Sequence, residues 1–260
     1  MKLAQKFKQL KKENKKAFIA YFPFGFPKIS DSNQIFLTLQ KAGVDIIELG
    51  FPFSDPLADG PIIQKASTIA LEQKITLDIF FSNIRKIKKE IKIPVVLMSY
   101  YNPIFRYELD NFFPKLAESN ISATILVDLP FEESKDYQKY AKKFDIDPIF
   151  FITPTTEKKR VEKIAKNSKG FIYYISSTGI TGPKALKYNQ IASDIKKIKK
   201  ISDTPVCVGF GIHNNQQVKK ISSFSDGVIV GSEIVKFIDK NYKQKNFLKK
   251  LENYVRKLKG

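Results

Sequence analysis

Short runs of β-branched and aromatic residues alternate with longer, lysine-studded amphipathic segments along this chain of 260 residues, and that alternation narrows the possible folds more than any other feature. Eight strand patterns fall near residues 18–23, 44–50, 94–99, 122–128, 147–152, 170–175, 204–209 and 226–230. Helical patterns fall near 32–42, 62–89, 108–118, 132–143, 157–167, 187–200, 214–222 and 232–257. Asp31, Asp110 and Asn214 read as N-caps or first-turn residues. A strand that must run parallel to the one before it needs a crossover helix, so eight successive βα units predict an α/β fold, a single (β/α)8 TIM barrel domain over residues 1–260. A doubly wound open sheet is the alternative, and no G-x-G-x-x-G follows any strand to support its dinucleotide-binding form. Ahead of the first strand, Leu3, Phe7 and Leu10 recur at helical spacing and predict an extra N-terminal helix.

Two residue types remove whole classes of chemistry. Cys207 is the only cysteine, which rules out an internal disulfide and a cysteine-built metal site and fits a reducing, cytoplasmic setting. His213 is the only histidine, so histidine-rich metal sites are excluded and no metal is expected; its place just past a strand reads as a solvated loop position. The net charge of +19 raises nucleic acid or an anionic surface as a partner. Yet only Arg85, Arg106, Arg160 and Arg256 among the 45 basic residues are arginine, and the lysines scatter over helix surfaces, so no nucleic-acid role is expected. No apolar run reaches the length of a membrane span, and no membrane association is expected.

A barrel carries its chemistry on the loops at the C-terminal ends of its strands. With a period of two, Val44, Ile46 and Glu48 share one face of the second strand while Asp45, Ile47 and Leu49 share the other. Both faces are largely apolar, so Glu48 points into a core, where desolvation raises a carboxyl pKa into the range useful for general acid/base catalysis. A structural ion pair with a Lys or Arg is the competing reading. The following loop, Phe51 to Gly60, is rich in proline and carries a second acid, Asp59, near its end. Glycines follow the last three strands, and the backbone N–H groups of Gly182, Gly211, Gly231 and Ser232, the last at a helix start, are placed to bind a phosphate without an arginine.

The run Glu48-Leu49-Gly50 followed by Phe53-Ser54-Asp55-Pro56-Leu57-Ala58-Asp59-Gly60 resembles the signature of the tryptophan synthase α subunit family. The resemblance continues through Ala17-Phe18, Pro23, Tyr100, Asn102-Pro103, Asp128-Leu129-Pro130, Gly179-Ile180-Thr181-Gly182 and Gly209-Phe210-Gly211-Ile212. It implies retro-aldol cleavage of indole-3-glycerol phosphate to indole and glyceraldehyde 3-phosphate, with no cofactor in this chain. Glu48 matches the family's general acid/base, and Asp59 the carboxylate that meets the indole N–H. Tyr21, Met98, Tyr100, Tyr173 and Phe210 match pocket positions that composition alone would assign to core packing. The loops after the second and sixth strand patterns match mobile lids that close with Asp55 bonded to Thr181. An α2β2 heterotetramer is implied, in which indole passes to a β subunit that carries pyridoxal phosphate; Pro52 to Pro56 and the Asn102-Pro103 loop would face that partner. One departure is Gly25-Phe26-Pro27, where the family usually has Gly-Asp-Pro. Two rival readings compete with it: another phosphate-binding barrel, which would want a catalytic Lys or His at a strand end, and a silent docking subunit, which would have no need to keep both Glu48 and Asp59.

Overall fold

Each strand pairs in parallel with its neighbours, and the sheet curls until its two edges meet within one extended segment. The computed structural model describes residues 1–176, 187–209 and 211–260. Among these, the N-terminal helix α1 (Leu3–Lys12) precedes β1 (Ala17–Pro23), α2 (Ile29–Lys41), β2 (Ile46–Gly50), α3 (Pro61–Leu71) and α4 (Leu77–Lys86). Then follow β3 (Val95–Ser99), α5 (Tyr101–Tyr107), α6 (Leu109–Glu118), β4 (Ala123–Leu126), α7 (Lys135–Lys143), β5 (Asp147–Ile149) and β6 (Phe151–Ile152). The chain ends with α8 (Lys158–Asn167), β7 (Ile172–Ile175), α9 (Tyr188–Lys199), β8 (Val206–Gly209), α10 (Asn215–Ser222), β9 (Gly227–Val230), α11 (Ser232–Asn241) and α12 (Phe247–Lys259). The strand order β5-β4-β3-β2-β1-β9-β8-β7-β6 puts the two halves of the 147–152 segment at opposite ends of the sheet, joined through Phe150, whose carbonyl accepts from Tyr173 N at 3.0 Å. The predicted barrel is therefore present, with its fifth strand divided in two.

Strand parity separates two apolar clusters. Phe18, Ala20, Phe22, Ile47, Leu49, Val95, Leu97, Val206, Val208, Val228 and Val230 face the surrounding helices. Ile19, Ile46, Val96, Met98, Ala123, Ile125, Ile149, Tyr173, Cys207 and Ile229 fill the lumen. Leu3, Phe7 and Leu10 of α1 join this second cluster, with Phe7 edge-on to Phe171 at 6.1 Å, so the extra helix seals one end of the barrel. Burying each of the Val, Leu, Ile, Phe and Met side chains among these contributes about 1.5–3 kcal/mol.

Three differences from the sequence reading have local causes. The pattern over 62–89 is two helices, because Lys74 takes a left-handed φ of 55° and Thr76 caps a new start by accepting from Ile79 N at 3.2 Å. The pattern over 232–257 is likewise two, with Asn246 at φ 61° between them. Tyr101 to Tyr107, read as a loop, is a helix of its own. Asn214 caps α10 as expected, accepting from Gln217 N at 2.9 Å, and Asp31 and Asp110 sit in first turns. Phe26, in place of the acid at that turn, is buried in the core.

Candidate active site

Glu48 occupies the lumen-facing parity of β2, two residues beyond Ile46, and is 1% exposed. Among the described residues its Oε2 is buried without a hydrogen-bond partner and no cation pairs with it, which speaks against the ion-pair reading of this residue. Burial first, and the charge of Asp59 second, push its pKa up to about 8. At neutral pH the side chain is a protonated acid with a free acceptor oxygen.

Asp59 is brought to the same place by its loop. Tyr100, which follows β3, accepts from Ala58 N at 3.0 Å through its hydroxyl and donates to Asp59 Oδ2 at 3.4 Å, while Phe53 stacks on its ring at 5.1 Å. Gln64 in the first turn of α3 donates to the Asp59 carbonyl at 2.9 Å. Burial raises the Asp59 pKa to about 6, against the hydrogen bond from Tyr100, which lowers it. Asp59 is thus largely ionised at a pH where Glu48 keeps its proton. Two carboxyls whose environments set their pKa values apart can divide acid and charge-stabilising roles.

Both acids line one cavity of about 1140 Å³, together with Tyr21, Met98, Tyr173, Gly211, Gly231 and Ser232. Tyr21 and Tyr173 fit because glycine lies opposite each: a Cβ at Gly50 would stand 2.5 Å from the Tyr21 hydroxyl, and one at Gly209 would overlap the Tyr173 hydroxyl. Burial and the nearby carboxylates hold both phenols well above their usual pKa, so they remain neutral. Tyr100 stands behind Asp59, in a small adjoining space it shares with Tyr21 and Met98. Asp55 lies exposed on the loop after β2, its Oδ2 accepting from Ser54 Oγ at 2.5 Å. Thr181, Gly182 and Phe210 lie outside the described residues, and with them the Asp55–Thr181 contact.

The cavity also has walls that sequence reasoning did not single out. Val127, just past the end of β4, and Phe151 and Ile229, on β6 and β9, line it at the same lumen-facing parity as Ile125, Ile149 and Gly227. Counting parity upward from the lumen residues would have found them. Arg160, Glu233 and Lys236 line it too, and so does His213, expected to be merely solvated. Arg160 is engaged by Glu132, with its Nε 3.0 Å from Oε1. Among the described residues, no group of three or more His, Cys, Asp or Glu side chains is arranged to hold a metal ion.

Residues 7–260 match the family described as Tryptophan synthase alpha chain. The chain is 41% identical to the tryptophan synthase alpha chain of Petrotoga mobilis, covering 95% of this chain and 96% of that one. It is 37% identical to that of Geotalea uraniireducens, over 100% and 97% of the two. Among solved structures, it resembles tryptophan synthase subunit alpha from Legionella pneumophila with a TM-score of 0.91 at 32% identity, covering 98% and 96% of the chains. It resembles a chain of Mycobacterium tuberculosis tryptophan synthase with a TM-score of 0.90 at 30% identity, over 98% and 96%.

Proposed function

The chain belongs to the tryptophan synthase alpha chain family, and from that premise we propose that it is a lyase that splits indole-3-glycerol phosphate into indole and glyceraldehyde 3-phosphate. The observation that carries this reading is Glu48: a carboxyl 1% exposed, held protonated to about pH 8, in the cavity that Asp59 also lines. A retro-aldol needs one proton delivered to indole C3 and one removed from the hydroxyl on the carbon that becomes the aldehyde. Glu48 as acid gives the first, and its carboxylate takes the second. The electrons of the broken C–C bond return to the ring to restore the indole, and Glu48 ends the cycle protonated as it began. While C3 is protonated the ring nitrogen carries positive charge, and ionised Asp59 stabilises it through the N–H. Val127, Phe151 and Ile229 offer the apolar walls an indole ring needs, and Gly211, Gly231 and Ser232, at the N-terminus of α11, offer main-chain amides to the phosphate.

Indole, the apolar product, passes in this reading to a β subunit within an α2β2 complex, where pyridoxal phosphate supplies the chemistry that joins it to serine. Close to the two segments expected to face that partner, Pro52 to Pro56 and Asn102-Pro103, two large apolar side chains stand in the open: Leu57 on the loop after β2 is 81% exposed, and Phe105 on α5 is 65% exposed. No helix among the described residues is long and apolar enough to cross a membrane. The lone cysteine, Cys207, fits the reducing cytoplasm that this reading assigns to the protein. The test is to supply indole-3-glycerol phosphate to the chain with and without a β subunit and measure indole release. Release of indole and glyceraldehyde 3-phosphate in equal amounts is expected; consumption without indole would reject the assignment.

A further inference from the structure

Glu233 stands one residue after Ser232 in the first turn of α11, with its side chain only 14% exposed. Its Oε1 lies 3.3 Å from His213 Nδ1 and 3.5 Å from Lys236 Nζ, and burial, helped by Glu233, raises the pKa of Tyr254 on α12. His213 is two residues beyond Gly211 in the loop after β8, and its backbone N–H donates to Gln217 Oε1 at 2.6 Å. His213, Glu233 and Lys236 line the cavity at the end where Gly211, Gly231 and Ser232 lie. The contact between His213 and Glu233 therefore joins the two separate chain segments that present those amides.

A carboxylate in the first turn suits the helix dipole, but it repels an anion bound at the same helix start unless its charge is answered. Lys236 answers it here from the next turn of the same helix. We propose that Glu233 and His213 form a tie across the phosphate cradle, fixing the loop after β8 against the start of α11, with Lys236 cancelling the charge of the tie so that a phosphomonoester tolerates it. The inference rests on the reading that this end of the cavity takes the substrate phosphate. Glu233 and His213 are positioning residues in this scheme: they hold the amides at the spacing the phosphate oxygens require, and neither touches the reacting carbon. Loss of a tie of this kind loosens ground-state and transition-state binding alike, which raises KM and leaves kcat in place.

The experiment titrates glycerol 3-phosphate into the full-length chain by calorimetry, alongside steady-state kinetics with indole-3-glycerol phosphate. His213→Ala and Glu233→Ala are expected to weaken glycerol 3-phosphate binding and raise KM by about 3- to 10-fold, the range for one lost hydrogen bond, with kcat unchanged. Glu233→Gln keeps an acceptor for the imidazole and is expected to recover most of the affinity. Lys236→Met should weaken binding when Glu233 is present and have little effect beside Glu233→Gln, since no charge is then left to cancel. His213 is exposed, so its variant keeps the test valid should Glu233→Ala not fold. Wild-type affinity in both His213→Ala and Glu233→Ala overturns the tie, and so does a loss confined to kcat. A wild-type chain that does not bind glycerol 3-phosphate overturns the phosphate assignment and the tie together, whereas one that binds it while the variants are unaltered overturns the tie alone.

Discussion

Burial divides the two carboxyls that share the cavity, residue by residue, into an acid and a carboxylate. Glu48 and Asp59 are raised to about 8 and about 6, the first chiefly by desolvation and then by the charge of the second. Asp59→Asn removes that charge, so the alkaline limb of the pH–kcat profile, which reports Glu48 losing its proton, should move to lower pH while kcat falls severely. A limb that stays in place would mean that Asp59 does not sense Glu48 during turnover. The acids were legible in the sequence because a glutamate between Ile47 and Leu49 on a strand is costly without a purpose, and Asp59 closes a long loop just beyond. Val127, Phe151 and Ile229 were not, since an apolar strand residue reads the same whether it faces the lumen or a helix. The His213–Glu233 contact was hidden for another reason: it joins side chains 20 residues apart on different elements, and no local pattern marks it.

At the scale of elements, the sealed end of the barrel and the tyrosine-filled lumen make separate predictions. Asp45, at the start of β2, accepts from Phe18 N at 3.0 Å and pairs with Lys259 of α12 at 3.0 Å and Lys6 of α1 at 3.4 Å. Removing this buried carboxylate leaves the Phe18 amide and the largely buried Lys6 ammonium unanswered, while Lys259 keeps its bond to the Gly43 carbonyl, so Asp45→Ala should destabilise the chain by about 3 kcal/mol in urea titration, with kcat of the folded fraction intact. A loss below about 1 kcal/mol would show that the ends are held by apolar packing alone. Gly209→Ala should displace Tyr173, because the added methyl overlaps its hydroxyl. The expected result is a folded protein with kcat reduced on the order of 10²-fold, the cost of misplacing a group that shapes the site. Wild-type kcat would place Tyr173 outside the working geometry. The alternation of strand and helix was readable throughout, whereas the breaks at Lys74 and Asn246 were not, because neither is the glycine or proline that punctuates a helix in sequence.

Across the whole molecule, the two raised carboxyls leave a trace in stability. Folded Glu48 keeps its proton to about pH 8, whereas an unfolded chain releases it near 4.5, so between those values the native state binds more protons and stability falls as pH rises. The slope reaches about 1.4 kcal/mol per pH unit for one such group. Urea titrations at pH 5, 6, 7 and 8 should show that decline in the wild type, and Glu48→Gln should flatten it; equal slopes in the two would mean that Glu48 ionises freely when folded. In this mechanism one carboxyl, Glu48, both gives and takes the proton of C–C cleavage, and Glu48→Gln removes that capacity while keeping the side chain's shape. With folding checked by circular dichroism and binding by glycerol 3-phosphate calorimetry, kcat for indole release should drop by at least about 10²–10⁴ while affinity for glycerol 3-phosphate is retained. Indole release at a wild-type rate from that variant would mean that a group other than Glu48 moves the proton.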